Sequence, residues 1–142
     1  MHYDVAAYGR DGNLAVVGEA KVRLATNPEW AAKLRSNIVE DGSALRARFF
    51  MLALPDRLYL WPWDAPPEAL PAVVDGSEVF APYFRMLDVE PSQIQPPAFE
   101  NIVSWWLSDL TRADPAKVGH ELRKSGLVDA VAGGRISHEL AA

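Results

Sequence analysis

Asp4, Glu19 and Lys21 are the residues whose types and spacing could do chemistry. Two carboxylates meeting at one point repel each other and favour a cation between them. Mg²⁺ takes hard oxygen ligands and keeps several waters, so Asp4, Glu19 and the backbone carbonyl of Ala20 would suffice on the protein side. Mg²⁺ or Mn²⁺ held there can activate water and neutralise charge during phosphodiester hydrolysis. A lysine beside it, Lys21, can steady the developing charge or orient the attacking water.

A hairpin must bring these groups together. Tyr3–Tyr8 and Leu14–Lys21 read as strands joined by Arg10-Asp11-Gly12-Asn13. Asp-Gly between apolar runs is the strongest short-range signal for a two-residue type I′ turn. Counting outward from that turn sets Arg10 opposite Asn13, Asp4 opposite Glu19 and His2 opposite Lys21. Opposed side chains have Cβ atoms about 4.5–5.5 Å apart, and Lys21 shares a face with Glu19. Along the hairpin, Val5, Ala7, Leu14 and Val16 should point one way, and Ala6, Tyr8, Ala15 and Val17 the other. A sheet apolar on both faces expects helices on both.

The stretch Tyr3-Asp4-Val5…Gly18-Glu19-Ala20-Lys21, followed by a helix and an apolar strand, resembles the PD-(D/E)xK nuclease-like superfamily, the restriction-endonuclease-like fold. More narrowly, it is similar to small bacterial proteins whose E-x-K strand leads into a Pro-Glu-Trp-Ala-Ala helix, here Pro28–Ala32. The resemblance covers roughly residues 2–61. It implies Asp4 and Glu19 as metal ligands, Lys21 as the catalytic lysine, Mg²⁺ or Mn²⁺ as cofactor and DNA, ahead of RNA, as substrate. Tyr3 stands where the family usually has proline. The family core also opens with a helix, often carrying an acid, and a strand ahead of the aspartate. Here the C-terminal helices, a homodimer mate or a partner subunit would have to supply them, and Glu100 is then the candidate extra acid. The alternative expectation is a nuclease-like module that no longer cuts and serves as a binding or assembly subunit.

Further along, Thr26 and Glu29 are spaced as a capping box, and the helix they open should run to about Glu40, with Trp30, Leu34 and Ile38 on its apolar face. Arg48–Leu54 and Arg57–Trp61 read as strands around a Pro55-Asp56 turn. Residues 62–78, with four prolines, read as a linker or extended loop. Helices are expected over Val79–Leu87, Ala98–Arg112, Pro115–Lys124 and Val128–Ala132, and a fraying tail from Gly133-Gly134. Phe99, Ile102, Val103, Trp106 and Leu110 form the stripe of the long helix. The expected fold is one α/β domain, bordering on α+β: a mixed sheet of about four strands flanked by helices, with a helical C-terminal half.

Composition narrows the function. The 142 residues contain no cysteine, which excludes thiolate sites and disulfides. Neither a secretion signal nor a membrane-length apolar run is evident, so a cytoplasmic location is expected. The net charge of −5 opposes strong non-specific nucleic-acid binding. It divides as about +1 over residues 1–60 and about −6 over 61–142, which directs any polyanion to the N-terminal half. Arg23 is the candidate phosphate contact there, while Lys33 and Arg35 read as a solvated helix face. His2 faces Lys21 in this register. His120 and His138 lack partners at metal-ligand spacing and read as surface positions. Trp61-Pro62-Trp63 should anchor at least one ring in the core. Trp105, adjacent to Trp106, cannot share its face and should turn toward a neighbour or a dimer mate.

Overall fold

The computed structural model describes residues 3–39 and 45–137; His2, His138 and the expected helix end near Glu40 lie outside them. The described chain is a mixed α/β fold built on a six-stranded sheet, in the order β5-β4-β3-β2-β1-β6. Its elements are β1 (Val5–Tyr8), β2 (Leu14–Ala20), α1 (Pro28–Val39), β3 (Phe49–Leu54), β4 (Arg57–Pro62), β5 (Ala72–Asp75), α2 (Gly76–Leu87), α3 (Pro96–Thr111), α4 (His120–Lys124), α5 (Leu127–Val131) and β6 (Arg135–Ile136). β2 and β3 are parallel, with α1 as the crossover between them, and every other neighbouring pair is antiparallel.

The hairpin keeps the expected register by a different route. Gly9 N–H donates to the Asn13 carbonyl at 2.9 Å and Gly12 N–H to the Gly9 carbonyl at 3.1 Å, so the loop has three residues, Arg10-Asp11-Gly12. Gly12 takes φ +83°, the left-handed conformation that closes such a loop. A three-residue loop would shift the pairing by one. A bulge at Ala15 shifts it back, so Ala7 faces Val16, Ala6 faces Val17 and Val5 faces Gly18. The bulge also reverses the expected sides of Leu14 and Ala15: Ala15 joins Val5, Ala7 and Val16 in one core, and Leu14 packs against the other.

Both sheet faces are covered, as the two-sided apolar strands require. On one side Met51, Leu58 and Leu60 meet Phe80 and Phe84 of α2, Phe99, Ile102, Val103, Trp106, Leu107 and Leu110 of α3, and the two short helices. The full expected stripe of α3 is buried. On the other side Phe50, Leu52, Tyr59 and Trp61 meet α1.

Four expectations need correcting. The 62–78 stretch is not all linker: Ala72–Asp75 pairs with β4, and α2 begins directly after it, capped by Asp75 accepting from Ser77 N–H. As a four-residue edge strand with only Val74 buried, it leaves little periodicity to detect. The tail does not fray at Gly134, because Arg135 and Ile136 pair with Tyr8 and Ala7 and Ser137 N–H donates to the Ala6 carbonyl. The cap of α1 is Asn27, whose Oδ1 accepts from Trp30 N–H at 2.8 Å, while the Thr26 hydroxyl bonds Tyr59. Finally, Arg35 is not solvated. It is 2 % exposed, with its guanidinium donating to the carbonyls of Pro66 and Ala65 at 3.0 and 2.8 Å and lying 5.5 Å from the Trp61 ring.

Of the tryptophans, Trp61 is buried, with its indole N–H on the Ala69 carbonyl. Trp105 is 40 % exposed and sets its ring edge against Tyr83 of α2. Among the described residues no helix is long and apolar enough to cross a membrane.

The buried Arg35 ties α1 to the carbonyls of Trp63, Ala65 and Pro66, so its loss removes three donated hydrogen bonds and the packing of its side chain. Arg35→Ala should therefore lower stability by about 2–4 kcal/mol, read as a drop in the urea midpoint at unchanged slope.

Candidate functional site

The site lies at the sheet end where β1 begins and the parallel strands β2 and β3 finish, an edge at which open α/β sheets commonly bind ligands. Asp4 stands just before β1, its N–H donating to the Gly18 carbonyl at 3.0 Å and, more weakly, to Glu19 Oε2 at 3.3 Å. In return Ala20 N–H donates to Asp4 Oδ2 at 2.9 Å. Lys21 N–H bonds instead to the Ala53 carbonyl on β3. Because the N–H and C=O of one strand residue point to the same side, the Ala20 carbonyl also faces the Asp4 edge.

Glu19 pairs with Leu52 across β2 and β3 and so projects on the α1 side of the sheet. Its place there depends on Gly18. A Cβ at Gly18 would sit 2.2 Å from the Met51 carbonyl oxygen, so only glycine lets the two strands meet in this register. Glu100 arrives from the opposite layer, in the second turn of α3. Its carboxyl feels the carboxyl of Asp4, as does that of Glu19. The expected trio therefore converges, and the expected extra acid joins it.

The electrostatics follow from this crowding. Burial pushes the Glu19 carboxyl up to about 7, helped by the hydrogen bond to Asp4 and by its charge, with Lys21 pulling the other way. Glu100 is raised by the same causes in the same order: burial, the Asp4 hydrogen bond and Asp4 charge, again opposed by Lys21. Three carboxyl groups thus face one ammonium, and Glu19 keeps its proton up to about pH 7. As they stand they are closed on each other: among the described residues, no three acidic or histidine side chains form a ready shell for a metal ion. The donor set itself, carboxylates with an adjacent carbonyl, is nevertheless the chemistry that suits Mg²⁺ or Mn²⁺.

Arg23, the expected phosphate contact, is exposed two residues beyond Lys21, with its guanidinium 5.0 Å from the centre of the Trp30 ring. His120 is exposed at the start of α4 and has no part here. Sequence reasoning missed Asp56. Its Oδ2 accepts from Ala25 N–H at 3.0 Å and holds Ala25 at φ +58°, which shapes the loop from Lys21 to α1. An Asp after Pro55 signalled only a turn, and nothing local pointed to a contact 31 residues away. Compared with protein-family models, curated proteins and solved structures, the chain matches none.

Because the folded chain keeps the Glu19 proton to higher pH than the unfolded chain, stability should fall as pH rises from about 4.5 to about 7 and level off above. Glu19→Gln mimics the protonated acid. It should leave stability unchanged near pH 4.5 and raise it at pH 8 by about 1–2 kcal/mol, the side chain's partial exposure screening the larger shift. Urea melts of both proteins across this range, without divalent ions, check the slope.

Proposed function

We propose that the protein is a metal-dependent nuclease of the PD-(D/E)xK type, hydrolysing DNA phosphodiester bonds with Mg²⁺ or Mn²⁺. The observation that carries this reading is the meeting of Asp4, Glu19 and Glu100 beside Lys21 at one end of the sheet. A field strong enough to hold the Glu19 proton up to about pH 7 also favours a divalent cation in its place. Asp4, Glu19 and the Ala20 carbonyl would hold the ion, with Glu100 as a further acid on the same edge. A bound divalent ion supplies an acidified water and offsets phosphoryl charge.

The chain's own groups do the rest. Ala20 N–H fixes one oxygen of Asp4. Lys21, anchored through its backbone to β3, holds its ammonium near both Glu19 and Glu100. There it can orient water and stabilise the negative charge that develops on the phosphoryl oxygens. Arg23 lies next along the strand exit, where the adjacent phosphate of a bound strand would pass.

The second reading, a nuclease-like binding or assembly subunit that does not cut, is favoured by one observation: the carboxyl groups close on each other instead of opening as a ready shell. Two measurements separate the readings. With Mn²⁺ and mixed DNA substrates the parent should cleave, and Lys21→Ala and Glu19→Gln should each lose about 10²–10⁴-fold in rate. Millimolar Mn²⁺ should also raise the melting temperature of the parent but not of Glu19→Gln. Equal cleavage by Lys21→Ala and the parent sinks the mechanism, and a parent whose stability ignores Mn²⁺ leaves the subunit reading.

A further inference from the structure

We propose that the groove between α1 and the 67–70 segment receives one unpaired base of a single-stranded nucleic acid whose backbone runs past the carboxyl cluster. The proposal rests on reading that cluster as a nucleic-acid site and names the form of strand it takes. The groove encloses about 640 Å³ and is lined by Trp30, Ala32, Pro67 and Leu70, with Lys33 and Glu68 among its polar groups. Its size is within the usual range of small-ligand pockets, about 300–1,000 Å³. Leu70 is 59 % exposed there.

The groove connects to the site through Arg23. Its guanidinium stacks on the Trp30 ring at 5.0 Å, and it follows Lys21 by two residues. An aromatic ring flanked by a guanidinium is the arrangement on which single-stranded nucleic acids stack their bases, because every base has a π-face. Lys33, one helical turn along α1 from Glu29 and Trp30, provides a second cation lining the groove. Glu29 and Glu68 repel a phosphate from the groove itself but can accept from the exocyclic amino group of a base. A phosphate therefore belongs at Arg23 and a base in the groove.

Charge supports the same choice. Duplex binding draws its affinity from many neutralised phosphates, and a net charge of −5 works against that. In a duplex the bases are already paired and stacked, so none is free to enter an apolar slot. An unpaired strand offers one at no such cost.

The test uses the full chain carrying Lys21→Ala, with Mg²⁺, and fluorescein-labelled 12-nucleotide DNA, single-stranded or as a duplex, followed by anisotropy. Single strands should bind at least tenfold more tightly than duplex. Adding Leu70→Glu, a change at an exposed position, should weaken the single strand about tenfold and leave duplex binding unchanged. Trp30→Ala, used only if its melting temperature matches the parent's, should do the same. Equal affinity for the two forms, binding by neither, or single-strand affinity indifferent to Leu70→Glu overturns the proposal. If Leu70→Glu alone cuts single strands at the parental rate, the groove is excluded and the nuclease reading stands. If the parent cuts nothing yet its single-strand binding is lost on Leu70→Glu, the groove stands and the nuclease reading falls.

Discussion

Three carboxyl groups and one ammonium share the end of a sheet, and the rest of the fold is arranged around holding them there. Left to themselves, Asp4, Glu19 and Glu100 would separate, since each gains from solvation and loses from its neighbours. What keeps them together is backbone geometry on three separate elements. The Ala20 N–H pins Asp4, the β2–β3 pairing fixes Glu19, and the packing of α3 against β1 and β2 delivers Glu100. The raised carboxyl of Glu19 is the cost of this arrangement, visible as an affinity for protons.

Each element holds its place by a constraint that tolerates little change. The three-residue turn and the bulge at Ala15 are each one residue out of step, and only together do they set Asp4 beside Glu19. Gly18 lets β2 close on Met51. On the outer edge, β6 pairs with β1, and so the strand that carries Asp4 is flanked on both sides instead of lying at an open edge. Chain segments from after α5 thus stabilise a residue near the start of the sequence. β6 lies beside β1, and α3 brings Glu100 to the same end of the sheet.

Much of the site was legible because its signals are local. Asp11-Gly12 between apolar runs announced a hairpin, and counting from it put Asp4 near Glu19. Every residue expected in the stripe of α3, spaced at helical period, is buried, though Leu107 beside them was not named. What escaped reading were features set by tertiary partners. The bulge left the outcome intact only because it cancelled the turn's extra residue. β5 and β6 are short edge strands whose order comes from the neighbours they pair with, not from their own periodicity. Thr26 looked like a cap, but Tyr59 claims its hydroxyl and Asn27 takes the role. Arg35 looked solvated because charged residues usually are. Its carbonyl partners lie about 30 residues away, in a proline-rich segment without periodic signal.

The charge distribution bears on how any polyanion could reach this site. The carboxyl groups outnumber Lys21, so the bare chain repels a phosphate at the point where chemistry would occur. Long-range steering by a basic surface is not available to a chain of this charge. Affinity must then come from short-range contacts: cation exchange for the proton held on Glu19, and apolar or stacking contact nearby. Arg23 on Trp30 is the place where both kinds of contact adjoin. Contacts of that kind act only on groups that can enter them, so they select by shape and exposed base surface rather than by total charge. An acidic protein with a carboxylate site is therefore not at odds with a nucleic-acid substrate, provided that substrate presents bases as well as phosphates.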